Sequence, residues 1–349
     1  MSQIQNHEAK LNPVERDETI IVEAFGARKC PKLVEQVQSE KLAVKRNALS
    51  VLCGEFSNPM SIRGCVEAGI MQVLCDYIAG DADDLTRERA SRALALAAWD
   101  ANGRVAMLDE GVAAKVMPAL DDAVVVVRRN VLEALVNYSC ATIREVRSIV
   151  GAGYPTTLVA KAASEVDEVQ PLVLKLLYNC IKDETGLADA LGASAVETCI
   201  SLLDSGSTEV RKESATTLSF LCFAEMAKMN AIQGGGVAKL SSLLTDEAWE
   251  VRAAAAGALM AVTTTDPGKK AIVPANGVEP LINLLQDEQR LVKLNVLKTM
   301  ANVAVNPDVR EQLKMSESVL PTLSTLIEGE DTLLAKHATI AKAAVLWEP

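Results

Sequence analysis

The sequence predicts an all-α fold, a right-handed superhelical solenoid of about eight helical repeats, from three observations. A motif recurs at a fixed period, its apolar residues fall on one helical face, and the composition favours small aliphatic side chains over aromatic ones. The chain has 349 residues, more than one globular core ordinarily reaches, and a repeat array escapes that limit because its core grows along a single axis. Hydrophobic residues make up 49% of the chain but aromatics only 3%, so Ala, Leu, Val and Ile must fill the interior. Alanine lets helix axes approach closely, whereas a strand-rich fold would call for more Tyr, Phe, Trp and Thr.

The period is read from a basic or polar residue that follows Val in the motif Val-Arg-x-x-Ala-x-x-Ala-Leu. It falls at Lys45, Arg87, Arg128, Gln170, Arg211, Arg252 and Lys293, with successive differences of 42, 41, 42, 41, 41 and 41. A glycine earlier in each unit keeps the same beat at Gly69, Gly111, Gly153, Gly236 and Gly277, with Ala195 and Ser318 in the remaining slots. An eighth, degenerate unit runs from Val319 to Ala344 and serves as a cap. In Val251–Leu259, the residues Val251, Ala255, Ala258 and Leu259 share one face at helical spacing and are the expected core, as are their counterparts Val131, Ala134 and Leu135 three repeats earlier. Residues 1–19 are polar, hold Asn12-Pro13 and show no apolar period, so they read as a tail; residues 20–349 read as one uninterrupted array.

A period of 41–42 lies in the armadillo and HEAT range of two or three helices per unit. Gly277-Val278-Glu279-Pro280-Leu281-Ile282-Asn283-Leu284-Leu285 and its counterpart from Gly236 resemble the second helix of the armadillo repeat, and Val251–Leu259 resembles its third. The resemblance covers roughly residues 28–345 and implies third helices aligned side by side on a binding surface.

The composition also excludes function classes. Net charge is −11, without the basic footprint that nucleic acid or an anionic membrane surface requires, and no apolar run reaches membrane-spanning length. No two of the eight cysteines are spaced as a zinc or redox pair, and with no signal-like segment after Met1 they are expected to be reduced thiols in a cytosolic compartment. The two histidines, His7 and His337, lie at opposite ends of the chain, which leaves a nucleophile–histidine arrangement without its parts. Gly234-Gly235-Gly236 has neither the preceding strand nor the Lys-Ser/Thr ending of a phosphate loop. The acidic pairs Asp83-Asp84 and Asp121-Asp122 lack the alternating oxygen ligands of a calcium loop and read as solvated turns. No enzyme, cofactor, metal or small-molecule substrate is expected.

The open stripe of the third helices is the expected partner surface. Asn137, Asn179 and Asn302 match the asparagine that, in peptide-binding armadillo proteins, hydrogen-bonds an extended ligand's backbone; satisfying local carbonyls is the other role open to them. The tryptophans that accompany this asparagine in nuclear-import adaptors are absent, with Glu133, Lys175 and Lys298 in their places. Repeat six offers a bare strip, Ala254, Gly257 and Ala261, flanked by Phe220 and Phe223 on one side and by Asn295, Lys298 and Asn302 on the other. Trp249 opens that third helix and is the candidate aromatic anchor. A glycine within a helix costs about 1 kcal/mol relative to alanine, so Gly257 either lets another backbone approach or accommodates a bulky neighbour in repeat five.

Two stretches are narrower in kind. Ala24–Leu33, with Gln38–Leu42 and Ala48–Cys53, and later Val251-Arg252 with Ala255–Met260, resemble the armadillo-repeat subunits of the ciliary radial spoke (the radial spoke head protein 14 family). That resemblance implies a scaffold in the cilium or flagellum axoneme, with other radial spoke subunits as partners. The alternative is a soluble armadillo adaptor, such as a nucleotide-exchange cochaperone of the seventy-kilodalton heat-shock proteins.

Overall fold

The computed structural model describes residues 20–21, 24–80 and 82–348; the polar tail at 1–19 lies outside them. Among the described residues there are helices and no strands. The eight third helices run Leu42–Glu55, Asp84–Ala98, Val125–Ser139, Gln170–Cys180, Thr208–Leu221, Trp249–Val262, Arg290–Val303 and Thr332–Leu346. Each of repeats five to eight has three helices; in repeat six they are Glu225–Gln233, Gly236–Leu243 and Trp249–Val262. By their contacts the residues divide into two compact units, up to Ala134 and from Leu135 on, where the sequence alone reads as one array.

The expected core is buried. Val251, Ala255, Ala258 and Leu259 are shut off from solvent, as are Val131, Ala134 and Leu135. Most other fully covered side chains are also aliphatic, and Tyr138 and Tyr154 are the largest.

The opening glycine has a conformational reason, one residue off the expected register in the later repeats. In repeats two to seven a left-handed residue opens the turn into the second helix, at Gly69, Gly111, Gly153, Ser194, Gly235 and, two residues before its helix, Asn276, a strict continuation of the 41–42 beat; in repeat eight Ser318 is right-handed, with φ −89°. In repeats five to seven the turn thus falls before Ala195, Gly236 and Gly277. Gly277 itself has φ −83°; its lack of a side chain answers to space instead, because a Cβ there would come within 2.5 Å of Ile272 and 2.7 Å of the Ser241 hydroxyl.

The arginine of the motif locks neighbouring repeats together. Arg87 Nε reaches Asp122 Oδ2 at 2.6 Å in the first unit, and in the second Arg211 reaches Asp246 at 2.8 Å and Arg252 reaches Asp287 at 2.9 Å. In each case the other carboxylate oxygen accepts the backbone N–H two residues on, from Val124, Ala248 and Gln289, at the turn into the next third helix. The guanidinium also donates to carbonyls of its own turn, as Arg252 does to Asp246 and Glu247. Asp122 is therefore not in a solvated turn: its side chain is 7% exposed. Asp83 likewise binds Arg46 at 2.7 Å and caps its helix at Thr86 N. In repeat four Gln170 replaces the arginine and donates to Ala162 O within its own repeat.

A second set of bonds joins adjacent third helices, from a side chain of the later repeat to a backbone carbonyl of the earlier one. Asn130 donates to Glu88 O, Thr217 to Leu174 O, Asn295 to Ala253 O, Thr299 to Ala256 O and Asn302 to Met260 O, over 42 or 43 residues.

Candidate partner groove

Third helices that lie side by side leave a furrow between them, and its shape depends on the residues facing out. In repeats five to eight these are small in the middle and large at the edges, and two adjoining cavities result. The first, about 300 Å³, is floored by Ala253, Ala254 and Gly257, with Phe220 and Trp249 among its walls and Leu291 and Asn295 opposite. The second, about 410 Å³, lies between Phe223, Met260, Ala261, Lys298, Asn302 and the His337 and Ile340 side of the last helix. Ser219 lines both.

All the expected partner residues except Asn137 and Asn179 thus border one furrow. Phe223 is the most open of them at 72% exposed, Trp249 is 37% exposed, and Ala261 is almost covered, so the bare strip is Ala254 and Gly257. The neighbour that Gly257 accommodates is in repeat seven, not repeat five: a Cβ would sit 3.3 Å from Asn295 Nδ2. On its other side Ser219 Oγ donates to Gly257 O at 3.2 Å.

The asparagines bind inward. Asn302 Nδ2 donates to Met260 O at 3.1 Å and Thr263 Oγ1 at 3.4 Å. Asn179, 4% exposed, donates to Ser139 Oγ at 2.9 Å and accepts from Lys182 Nζ at 2.8 Å. Asn137 differs, because its Nδ2 is buried without a hydrogen-bond partner among the described residues. An unsatisfied buried donor of this kind costs roughly 1–3 kcal/mol. The local-carbonyl role is thus the one that Asn302 fills in this structure.

Aromatic rings extend the wall beyond what sequence reading singled out. Tyr178 meets Phe220 edge-on with centroids 4.4 Å apart, and Phe220 meets Phe223 at 5.4 Å. Lys182 lies over the Tyr178 ring at 4.3 Å. Burial, and then Glu213, push the Tyr178 hydroxyl pKa up. Met260, Leu291, His337 and Ile340 were not among the expected residues. Leu291 and Met260 lie one helical turn or less from Asn295 and Ala261, so a wider stripe would have included them; His337 and Ile340 belong to the degenerate eighth repeat, where the period is faintest.

The cysteines are free, and burial pushes the thiols of Cys75, Cys180, Cys199 and Cys222 up to about 12. Among the described residues no three of His, Cys, Asp and Glu are placed to hold a metal ion, and no helix is long and apolar enough to cross a membrane.

Three-helix repeats of this period, with an outward furrow on the third helices, define an armadillo/HEAT-type helical-repeat protein. The HEAT repeat family matches residues 237–265, which are most of repeat six. Over 249 residues the chain is 28% identical to Radial spoke protein 14 of Chlamydomonas reinhardtii, a match covering 68% of this chain and 64% of that protein. The crystal structure of an engineered protein superposes with a TM-score of 0.84 at 27% identity, covering 92% of this chain and 79% of that one. A designed armadillo repeat protein in complex with peptide (KR)4 gives a TM-score of 0.56 at 21% identity over 69% of this chain and 98% of that one, a likeness of fold.

Proposed function

We propose that this protein is a non-catalytic interaction scaffold and a structural subunit of the axonemal radial spoke, supporting ciliary motility. The observation that carries the scaffold reading is the furrow of repeats five to eight. Large apolar side chains on its rims face a floor of Ala253, Ala254 and Gly257, where the Gly257 and Ala253 carbonyls already accept from Ser219 and Asn295. A surface with its own polar groups engaged and its apolar rims exposed gains chiefly by burying another protein's apolar side chains. Similarity to Radial spoke protein 14 supports the axonemal assignment, and other spoke subunits are then the partners.

Fractionation of ciliated cells tests this. A spoke subunit remains with detergent-extracted axonemes and leaves only with chaotropic salt; a chain that is soluble throughout fits the cochaperone alternative instead. Within cilia, Gly257→Leu would fill the floor and Trp249→Ala would remove the anchor. Both variants should fold, and truncating a central aromatic anchor should cost roughly 2 kcal/mol or more of docking. If both enter spokes as well as the parent does, this furrow is not the docking site.

A further inference from the structure

The two cavities differ in charge. At the first, Lys212 is matched by Glu209 at 2.6 Å and Glu213 at 3.4 Å. At the second, Lys298 and His337 line the wall and no acidic residue does. Lys336, the chain neighbour of His337, is exposed and lies outside that lining. Among the described residues neither Lys298 nor Lys336 has a carboxylate at ion-pair distance, whereas Lys228 on the same wall is held by Glu225 at 3.1 Å. His337 registers the imbalance, since partial burial and then Lys298 and Lys336 hold its pKa below the usual value. Uncompensated cations are out of keeping with a chain of net charge −11, and a concave site with walls of low polarity strengthens their field. Apolar surface adjoins them directly: Phe223 is 72% exposed and Ile340 46%, with Met260 between.

We propose that the cavity between the third helices of repeats five to eight receives an acidic segment of a partner protein. A glutamate or aspartate carboxylate of that segment pairs with Lys298, with Lys336 adding to the positive field from outside the lining, and the apolar residue beside it packs on Phe223, Met260 and Ile340. The proposal rests on the furrow being the partner site and names what that site selects. Asn302 takes a limited part, because its Nδ2 is bound to Met260 O and Thr263 Oγ1, and only its carbonyl oxygen is left to accept a backbone N–H. A carboxylate beside Lys298 in a partly dry furrow should add to affinity and, more strongly, to selectivity against uncharged segments.

The test uses the full chain and fluorescence anisotropy with labelled short peptides of alternating Glu–Leu, Gln–Leu and Lys–Leu, and a single-stranded oligonucleotide of similar length. The Glu–Leu peptide should bind tightest. Its affinity should fall on the order of tenfold with added salt or in the double variant Lys298→Glu/Lys336→Glu. Phe223→Ala should weaken Glu–Leu and Gln–Leu alike. Equal binding of Glu–Leu and Gln–Leu, or an affinity indifferent to charge reversal, overturns the acidic preference, and a surviving effect of Phe223→Ala would then still support the furrow. Tighter binding of the oligonucleotide also overturns it. Peptides that bind without regard to any of these substitutions dispose of the proposal and the furrow together. Melting temperatures of the variants near the parent's confirm that folding is not what changed.

Discussion

Arg252 and Asp287 permit a direct measurement of how firmly one repeat is tied to the next. The carboxylate is 5% exposed and the guanidinium 19%, with contacts of 2.9 Å from Nε and 2.7 Å from Nη2. Asp287→Ala removes the N–H acceptor for Gln289, worth about 1 kcal/mol as a helix-start contact, and a charge-assisted hydrogen bond worth about 1.5–3 kcal/mol. Its expected cost is therefore about 2.5–4 kcal/mol. Arg252→Ala strands a nearly buried carboxylate and should cost about 3 kcal/mol, toward the low end for breaking a buried pair. Because either change already breaks the same contact, the double variant should fall short of the sum by about 1.5–3 kcal/mol. Asp287→Asn can keep the acceptor while losing the charge, so it separates the two parts. Urea unfolding followed by circular dichroism and by tryptophan fluorescence in a background with Trp99 and Trp347 replaced by Phe, which leaves Trp249 three residues from Arg252, supplies all four corners of the cycle. A coupling below about 0.5 kcal/mol, the value of an exposed ion pair, would refute the idea that these pairs lock the repeats.

Leu259→Ala at a fully buried position should cost roughly 2–5 kcal/mol, and because stability is shared between neighbours hydrogen exchange should show a block around repeat six opening before the rest; uniform loss across the chain would contradict this. Burial works against the charge on Asp83, but bonds from Thr86 and Arg46 prevail and hold its pKa at about 2, below the unfolded value of about 3.9. The stability it contributes is present above the unfolded value and is lost as pH falls toward 2. Asp83→Asn should accordingly melt below the parent at pH 6, with the gap closing through that acid range; a gap independent of pH would mean that the carboxylate charge contributes nothing.

Period and facing carried most of the fold. The eight third helices, their buried faces at Leu259 and Leu135, and the left-handed turn that opens the second helices of repeats two to seven all follow from spacing, because burial and backbone geometry recur with the chain. The turn slipped by one residue in the later repeats because Ser194 and Asn276 adopt the left-handed conformation without glycine, and Gly277 is glycine for another reason. Asp122 escaped because a carboxylate in a turn looks solvated until its arginine, 35 residues earlier, is folded onto it. At the furrow the stripe located its floor and rims from Phe220 to Asn302. It could not show that Asn179 and Asn302 bind inward, since an amide has the same face to either side. The last wall, His337 and Ile340, sits where the repeat is most eroded.

Most cross-helix bonds run in one direction, although Cys53 and Ser219 donate the other way, to Arg89 O and Gly257 O of the following third helix. Asn130, Thr217, Asn295, Thr299 and Asn302 all donate to main-chain oxygens of the preceding third helix. At these five bonds the accepting helix contributes a main-chain oxygen, which every residue owns whatever its side chain, although Asn130 and Asn302 also reach the hydroxyls of Ser91 and Thr263. At those five joints a unit places its demand on its successor, so side chains on the accepting side can drift, be grafted or be duplicated without losing the main-chain bond. Such an asymmetry lets copies of one module diverge in sequence while remaining mechanically interchangeable.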